Sequence, residues 1–261
     1  MNKYEKLEKI AQEGYELEFG TVLDHAINNY KQIFGVAGVS MLILMMVLFG
    51  ALFGVIGVVF GFSAFSSTMT DFNPAMLSGT LIVIYFIAMV LFSGIMANIN
   101  AGFYKMCFLA DSNQRFSIGT MFDYFKTSHF KEIFISGVLI ASLTTTVTLL
   151  FEYLDLKYVG ALITYIISYL TFLTIALIIF SDLKATEAIS MSIKLSLKKP
   201  LLLIGLLLLA IILAMLGIIA LCIGIFFTLP FIYSMVYCIY AAIAPFEEVN
   251  VLDEIGANES E

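Results

Sequence analysis

Two histidines, His25 and His129, are the residues best suited to metal or proton chemistry, and each stands near an aspartate, Asp24 and Asp123. A bound divalent metal needs three or four such ligands at fixed geometry, so the two sites would have to converge across about a hundred residues of chain. Iron-dependent oxygenases acting on carotenoids need about four histidines, and a two-histidine facial triad still requires a nearby carboxylate and open positions, so the count argues against both. The alternative is a pair of solvated histidines at a membrane interface. The three cysteines, Cys107, Cys222 and Cys238, have no paired spacing, and Cys222 and Cys238 lie in apolar sequence where a thiol behaves as a small hydrophobe. No catalytic constellation is visible, and the sequence calls for no cofactor and no metal. The other chemistry-bearing groups are hydroxyls: Thr164, Ser168 and Thr171 fall on one helical face, and Thr144, Thr145, Thr146 and Thr148 cluster just before them. They either line a narrow polar path or bond to a neighbouring helix and their own backbone.

The elements that must carry these residues are set by composition. Of 261 residues, 61 % are hydrophobic and 13 % charged, against roughly 45–50 % and 25 % in an ordinary globular chain. That much apolar surface has no home in water, and the net charge of −7 is the wrong sign for a nucleic-acid binder. The chain reads as an all-α polytopic membrane protein. An ionised group near the bilayer centre costs at least about 2.5–3.5 kcal/mol, so charge-free intervals mark the spans. They predict six, at about 34–60, 77–99, 133–151, 158–180, 201–219 and 223–244, preceded by an amphipathic segment (1–33) and followed by an acidic tail (246–261). The tail, with Glu247, Glu248, Asp253, Glu254, Glu259 and Glu261, reads as a solvated terminus. Span centres lack ionisable groups, and no broken pair of helices is evident, which argues against an ion-coupled transporter.

Lysine and arginine test the count independently, because the cytoplasmic side retains them. With six spans, twelve of the thirteen fall on one side, and only Lys157 on the other. Both termini are then cytoplasmic. The first thirty residues are charged and amphipathic, unlike a cleavable signal.

The three segments preceding odd-numbered spans resemble one another. The first holds Gly20, Thr21, Asp24, Tyr30 and Lys31; the second holds Gly119, Thr120, Asp123, Phe130 and Lys131; a weaker third has Glu187, Lys198, Lys199 and Pro200. The unit is an interfacial amphipathic segment followed by a helical hairpin, three times over. Apolar residues of the second copy (Ile118, Met121, Phe122, Phe125) face lipid in this reading, with Lys126 and Lys131 among headgroups. Lys31, Lys198 and Lys199 are the matching contacts in the other copies. The stretch 189–197 alternates apolar and polar residues with a strand-like period, yet an unpaired edge beside a membrane is unfavourable, so helix is expected.

The pattern resembles an uncharacterised group of bacterial six-span inner-membrane proteins, related to the membrane domain attached to some glycerophosphodiester phosphodiesterases. The similarity rests on Phe122, Asp123, Tyr124, Phe125 before the third span, on Asp182, Glu187, Ala188, Ser192 after the fourth, and on Gly224, Thr228, Leu229, Pro230 in the sixth. It implies a six-span fold in a bacterial inner membrane, and carries no catalytic residue. Within the first span Gly50, Gly54, Gly57 and Gly61 form a bare stripe suited to close helix packing, expected within the chain. Tyr233, Tyr237 and Tyr240 supply an interfacial belt where tryptophan is absent. The function expected is a non-enzymatic membrane scaffold touching lipids or another membrane protein, with a small transporter or channel for an uncharged or lipid-like solute as the alternative. A homo-oligomer is compatible with the sequence but not indicated by it.

Overall fold

A computed structural model describes residues 3–60, 79–218 and 224–244. Gly61, the turn at Asp71, Asn73 and Pro74, Cys222, and the acidic tail lie outside the described residues, as do the surroundings of Gly57. The described chain is helical throughout, with no strand, and six of its helices are long and apolar enough to cross a membrane. It is an integral, multi-pass α-helical membrane protein.

The order is α1 (Lys3–Glu13), α2 (Phe19–Phe60), α3 (Gly79–Asp111), a 3-10 segment (Ile118–Lys126), α4 (Phe130–Tyr153), α5 (Lys157–Leu170), α6 (Thr174–Ser181), α7 (Ala185–Ser196), α8 (Pro200–Met215), α9 (Gly224–Thr228) and α10 (Pro230–Ile243). The candidate spans are the α2 portion Phe19–Ala51, α3, α4, α5 with α6, α8 with its 3-10 extension to Ile218, and α9 with α10. α3 packs chiefly on α4, and α10 lies among α2, α3 and α8 as the most enclosed span.

Three features depart from the sequence reading. First, the stretch holding Asp24, His25 and Lys31 is no separate interfacial segment: it is the opening of α2, which starts at Phe19 and runs 42 residues without a break. The discontinuity falls earlier, at 14–18, where Gly14 takes φ +92°. Counting charges locates where a chain meets water; it cannot locate where a helix begins.

Second, the second copy is a 3-10 turn and not an α-helix, while the third is an α-helix, in line with the helix expected over 189–197. α7 starts where two carboxylates meet orphan N–H groups: Lys184 N–H donates to Glu187 Oε2 (3.1 Å) and Ala185 N–H to Glu132 Oε2 (2.9 Å). Both negative charges also sit at the positive end of the helix dipole.

Third, the fourth span is interrupted. Helix stops at Leu170 and resumes at Thr174, and Ser192 of α7 repairs the gap by donating to Leu170 O (2.8 Å) and accepting from Leu173 N–H (3.2 Å). Backbone freed inside a membrane must find a partner, and here a buried serine supplies it. A second interruption at Leu229 precedes Pro230, whose ring clashes with the preceding turn.

At Gly50 and Gly54, the part of the glycine stripe that can be described, no helix comes close among the described residues. An added Cβ at Gly50 or Gly54 meets nothing within 4 Å, so the intrachain contact expected there is absent among the described residues. Close approaches occur instead at Gly94 and Gly137, where α3 meets α4, at Gly38 against Phe227, and at Gly102, where the backbone of Met121 fills the space of a Cβ. Met121 is accordingly buried against α3 and does not face lipid. Burial concentrates toward one end of the bundle: the buried residues of α3 run from Val90 to Ala110 and those of α4 from Ile133 to Ala141. At the other end Met46, Val47, Leu81, Val83 and Leu150 are exposed.

Candidate functional site

The well-packed end carries a collar made of α1, the 3-10 segment, α7 and the adjoining ends of α2, α3 and α6. Both histidines lie here, and each bonds an aspartate far away in sequence. His25 Nε2 lies 2.8 Å from Asp111 Oδ1, and His129 Nε2 lies 2.8 Å from Asp182 Oδ1. The first bond joins the start of α2 to the end of α3, and the second joins the residue before α4 to the residue after α6. Each therefore clasps one helical hairpin across its open end. Neither Asp24 nor Asp123 partners a histidine: Asp123 takes Lys105 instead (2.7 Å). No group of three or more His, Cys, Asp or Glu side chains is assembled for a metal among the described residues.

Each clasp is tied into its surroundings. Tyr237 of α10 donates to Asp111 Oδ2 (2.9 Å), bringing the sixth span to the first clasp. Asp182 adopts the left-handed conformation (φ 56°) that ends α6, one an aspartate tolerates. Its carboxylate receives Lys3 of α1 as well as His129, and the Lys3 bond foremost, then His129, hold it below the usual carboxylate range. α1 is further fixed by Lys194 to Glu8 (3.0 Å), a bond that raises the lysine's affinity for its proton, and by Lys198 Nζ donating to Gln12 O (3.1 Å). Tyr15 donates to Leu195 O (3.0 Å) beneath the Lys199 ammonium, and burial pushes its phenol up to about 12. Tyr124 is pushed up as well, again mainly by burial.

The lysines singled out from the sequence thus divide. Lys198 and Lys199 hold the N-terminal region in place, and Lys31 reaches only Asn28 Oδ1 at 3.4 Å. Lys126 and Lys131 are exposed, without a carboxylate partner among the described residues. Between them runs a ridge of rings: Phe122 (47 % exposed) to Phe125, Phe125 to Phe130 and Phe130 to Phe134, with centroids 6.2, 5.8 and 5.9 Å apart. The tyrosine stripe is also more engaged than a belt: Tyr233 donates to Asn100 Oδ1 (2.8 Å), and Tyr240 shares a hydrogen bond with Ser181 (2.7 Å).

Most span hydroxyls spend their proton on their own helix, as Thr144, Thr146, Thr148 and Thr171 do. The collar residues Lys3, Glu8, Asp111 and Asp182 were not legible as a group, because their partners lie on other helices; only the matched placement of the two histidines hinted at them. No protein-family model matches the chain, and neither curated proteins nor solved structures offer a match.

Proposed function

We propose that the protein is a non-enzymatic component of a bacterial inner membrane, with both termini cytoplasmic, and that its collar contacts acidic lipid headgroups through the face carrying Lys126 and Lys131. The observation that supports this most is the division among the lysines. Lys3, Lys105 and Lys194 satisfy carboxylates of the same chain, whereas Lys126 and Lys131 are exposed beside a half-buried aromatic ridge whose Phe122 is exposed. Rings at the level of the glycerol backbone with ammonium groups just outside are what an anionic membrane surface attracts. The orientation follows from the one-sided distribution of positive charge, and kinship with the membrane domains attached to some phosphodiesterases belongs to the same reading.

The test uses the full-length protein in nanodiscs of zwitterionic or anionic lipid. A spin label at position 122 should lie at acyl depth, and anionic lipid should be enriched around the protein in a salt-sensitive way, at about 1 kcal/mol per lysine. The double change Lys126→Glu and Lys131→Glu should abolish the enrichment. A label in water, or enrichment indifferent to both changes, overturns the proposal. Reporters fused after Lys31 and near Arg115 should report cytoplasm. The second reading, movement of an uncharged or lipid-like solute, draws on one observation: the interrupted fourth span.

A further inference from the structure

Beside the interruption of the fourth span lies a cleft of about 240 Å³ between α3, α4 and the α5–α6 junction. None of its lining residues is ionisable. Its polar groups fall into two sets. Ser136 donates to Ile133 O and Thr171 to Ile167 O on their own helices, and Ser93 to Gly137 O of the facing helix (3.5 Å), so these three are satisfied. Three others keep unused donors. Thr174 is 1 % exposed, lines the cleft and has no partner for Oγ1. Its usual acceptor one turn back, the carbonyl of Leu170, is already taken by Ser192. Asn100, which also lines the cleft, accepts from Tyr233 with Oδ1, and its amide N–H₂ has no hydrogen-bond partner among the described residues. Ser168 is exposed at the mouth with no bonded partner. A surplus of donors in one place calls for an occupant that supplies acceptors.

Depth decides where that occupant comes from. Beside the break, Tyr169 donates to Ser196 O (2.7 Å), two and three residues before Lys198 and Lys199, so Ser168 and Thr174 lie near the level of those charges. Asn100 stands five residues before Lys105, about 8 Å along α3. The cleft therefore opens sideways near the boundary between the charged level and the apolar zone, the depth at which ester-linked glycerol lies. Its remaining wall is Met96, Ile140, Phe172 and Ile175, apolar surface suited to the start of an acyl chain.

We propose that this cleft receives the ester-linked glycerol region of a neutral acylglycerol from the adjoining leaflet. The ester carbonyls accept from Thr174 and Asn100, the free hydroxyl or second ester meets Ser168, and the lack of any cation excludes a phosphate-bearing headgroup from the pocket itself. The site shares α4 with the collar ridge but is lined by none of the ridge residues, so either proposal survives failure of the other.

The test is photolabelling of the full-length protein in nanodiscs with a diacylglycerol carrying a diazirine near its first ester. Adducts should map to 93–100 and 168–175 and be displaced by unlabelled dioleoylglycerol. Thr174→Val, which keeps the shape and deletes the donor, and the surface change Ser168→Ala should each cut labelling about fivefold, equivalent to about 1 kcal/mol for one lost bond. Thr144→Val, outside the cleft, should leave it unchanged. Because Ser168 is exposed, its variant tests the site even if Thr174→Val disturbs folding. Labelling spread evenly around the bundle, insensitivity to both variants, or displacement by aqueous glycerol would each overturn the proposal.

Discussion

Replacing Gly102 with alanine drives a methyl group into the backbone of Met121, while the same change at Gly54 meets open space. The two variants share a chemistry and should have opposite signs. At Gly102 the new Cβ lies closer than 3.0 Å to Met121 backbone atoms, a segment that no side-chain rotation can relieve, so α3 and the 3-10 segment must part by about an ångström. A gap of that size forfeits a quarter to a half of each dispersion contact across the seam, here involving the buried Met121 and Tyr124. Overpacking costs of about 3 kcal/mol, less about 1 kcal/mol regained from alanine's helix propensity, leave a net loss of about 2 kcal/mol. For a chain of this size that is a fall of about 4–8 °C in melting temperature. Gly54→Ala should be neutral or raise stability by up to about 1 kcal/mol. Thermal unfolding in detergent followed by size-exclusion chromatography reads both. If Gly102→Ala melts at or above the parent, or if Gly54→Ala is equally damaging, the assignment of close packing to the α3 seam is wrong.

Asp182→Asn keeps a residue that tolerates the left-handed turn while removing the charge shared by Lys3 and His129, and should cost about 1 kcal/mol, as partly exposed pairs do. Because the Asp182 pKa is lowered on folding, its contribution is complete above about pH 4 and fades as pH falls through the depressed value. Melting curves taken from about pH 6 downward should therefore flatten in the variant, and parallel curves would refute the linkage. Ser192→Ala strands the Leu173 N–H and the Leu170 carbonyl inside the bundle, an expected loss of about 2 kcal/mol in the same melting assay. In a Cys222→Ser background, Cys107 and Cys238, both buried and free, should resist maleimide until the protein unfolds; labelling of the folded protein would contradict their placement.

Six helices were legible because each requires some twenty residues without charge, a local property that a sequence displays directly. What depended on distant partners was not. A run of spaced glycines states that a helix can be approached closely, but not that anything approaches it; the contacts at Gly94 and Gly137 involve side chains on the facing helix, Phe134 and Ala97, that no spacing rule links. The gap in the fourth span has neither glycine nor proline to announce it, and is tolerated only because Ser192 sits 19 residues beyond Leu173. The histidines were noticed as a matched pair, yet their partners lie 86 and 53 residues away. Phe122, Lys126 and Lys131 lie exposed and Phe125 half-buried against the core, whereas Met121 is buried because a 3-10 turn points its side chains differently from an α-helix.

Both histidine clasps, the ion pairs of α1 and the densest packing gather at one end of the described bundle. A bundle whose described residues are stitched along one rim and exposed at the other comes apart directionally, like a book opening from its fore-edge toward the spine. Amide exchange should advance from the far rim of α2, α3 and α4 toward the collar, with the amides near Cys107 and Cys238 the last to yield. The spacing between helices at the loose rim is then left to the surrounding lipid, so bilayer thickness and lateral pressure become settings of the protein's shape.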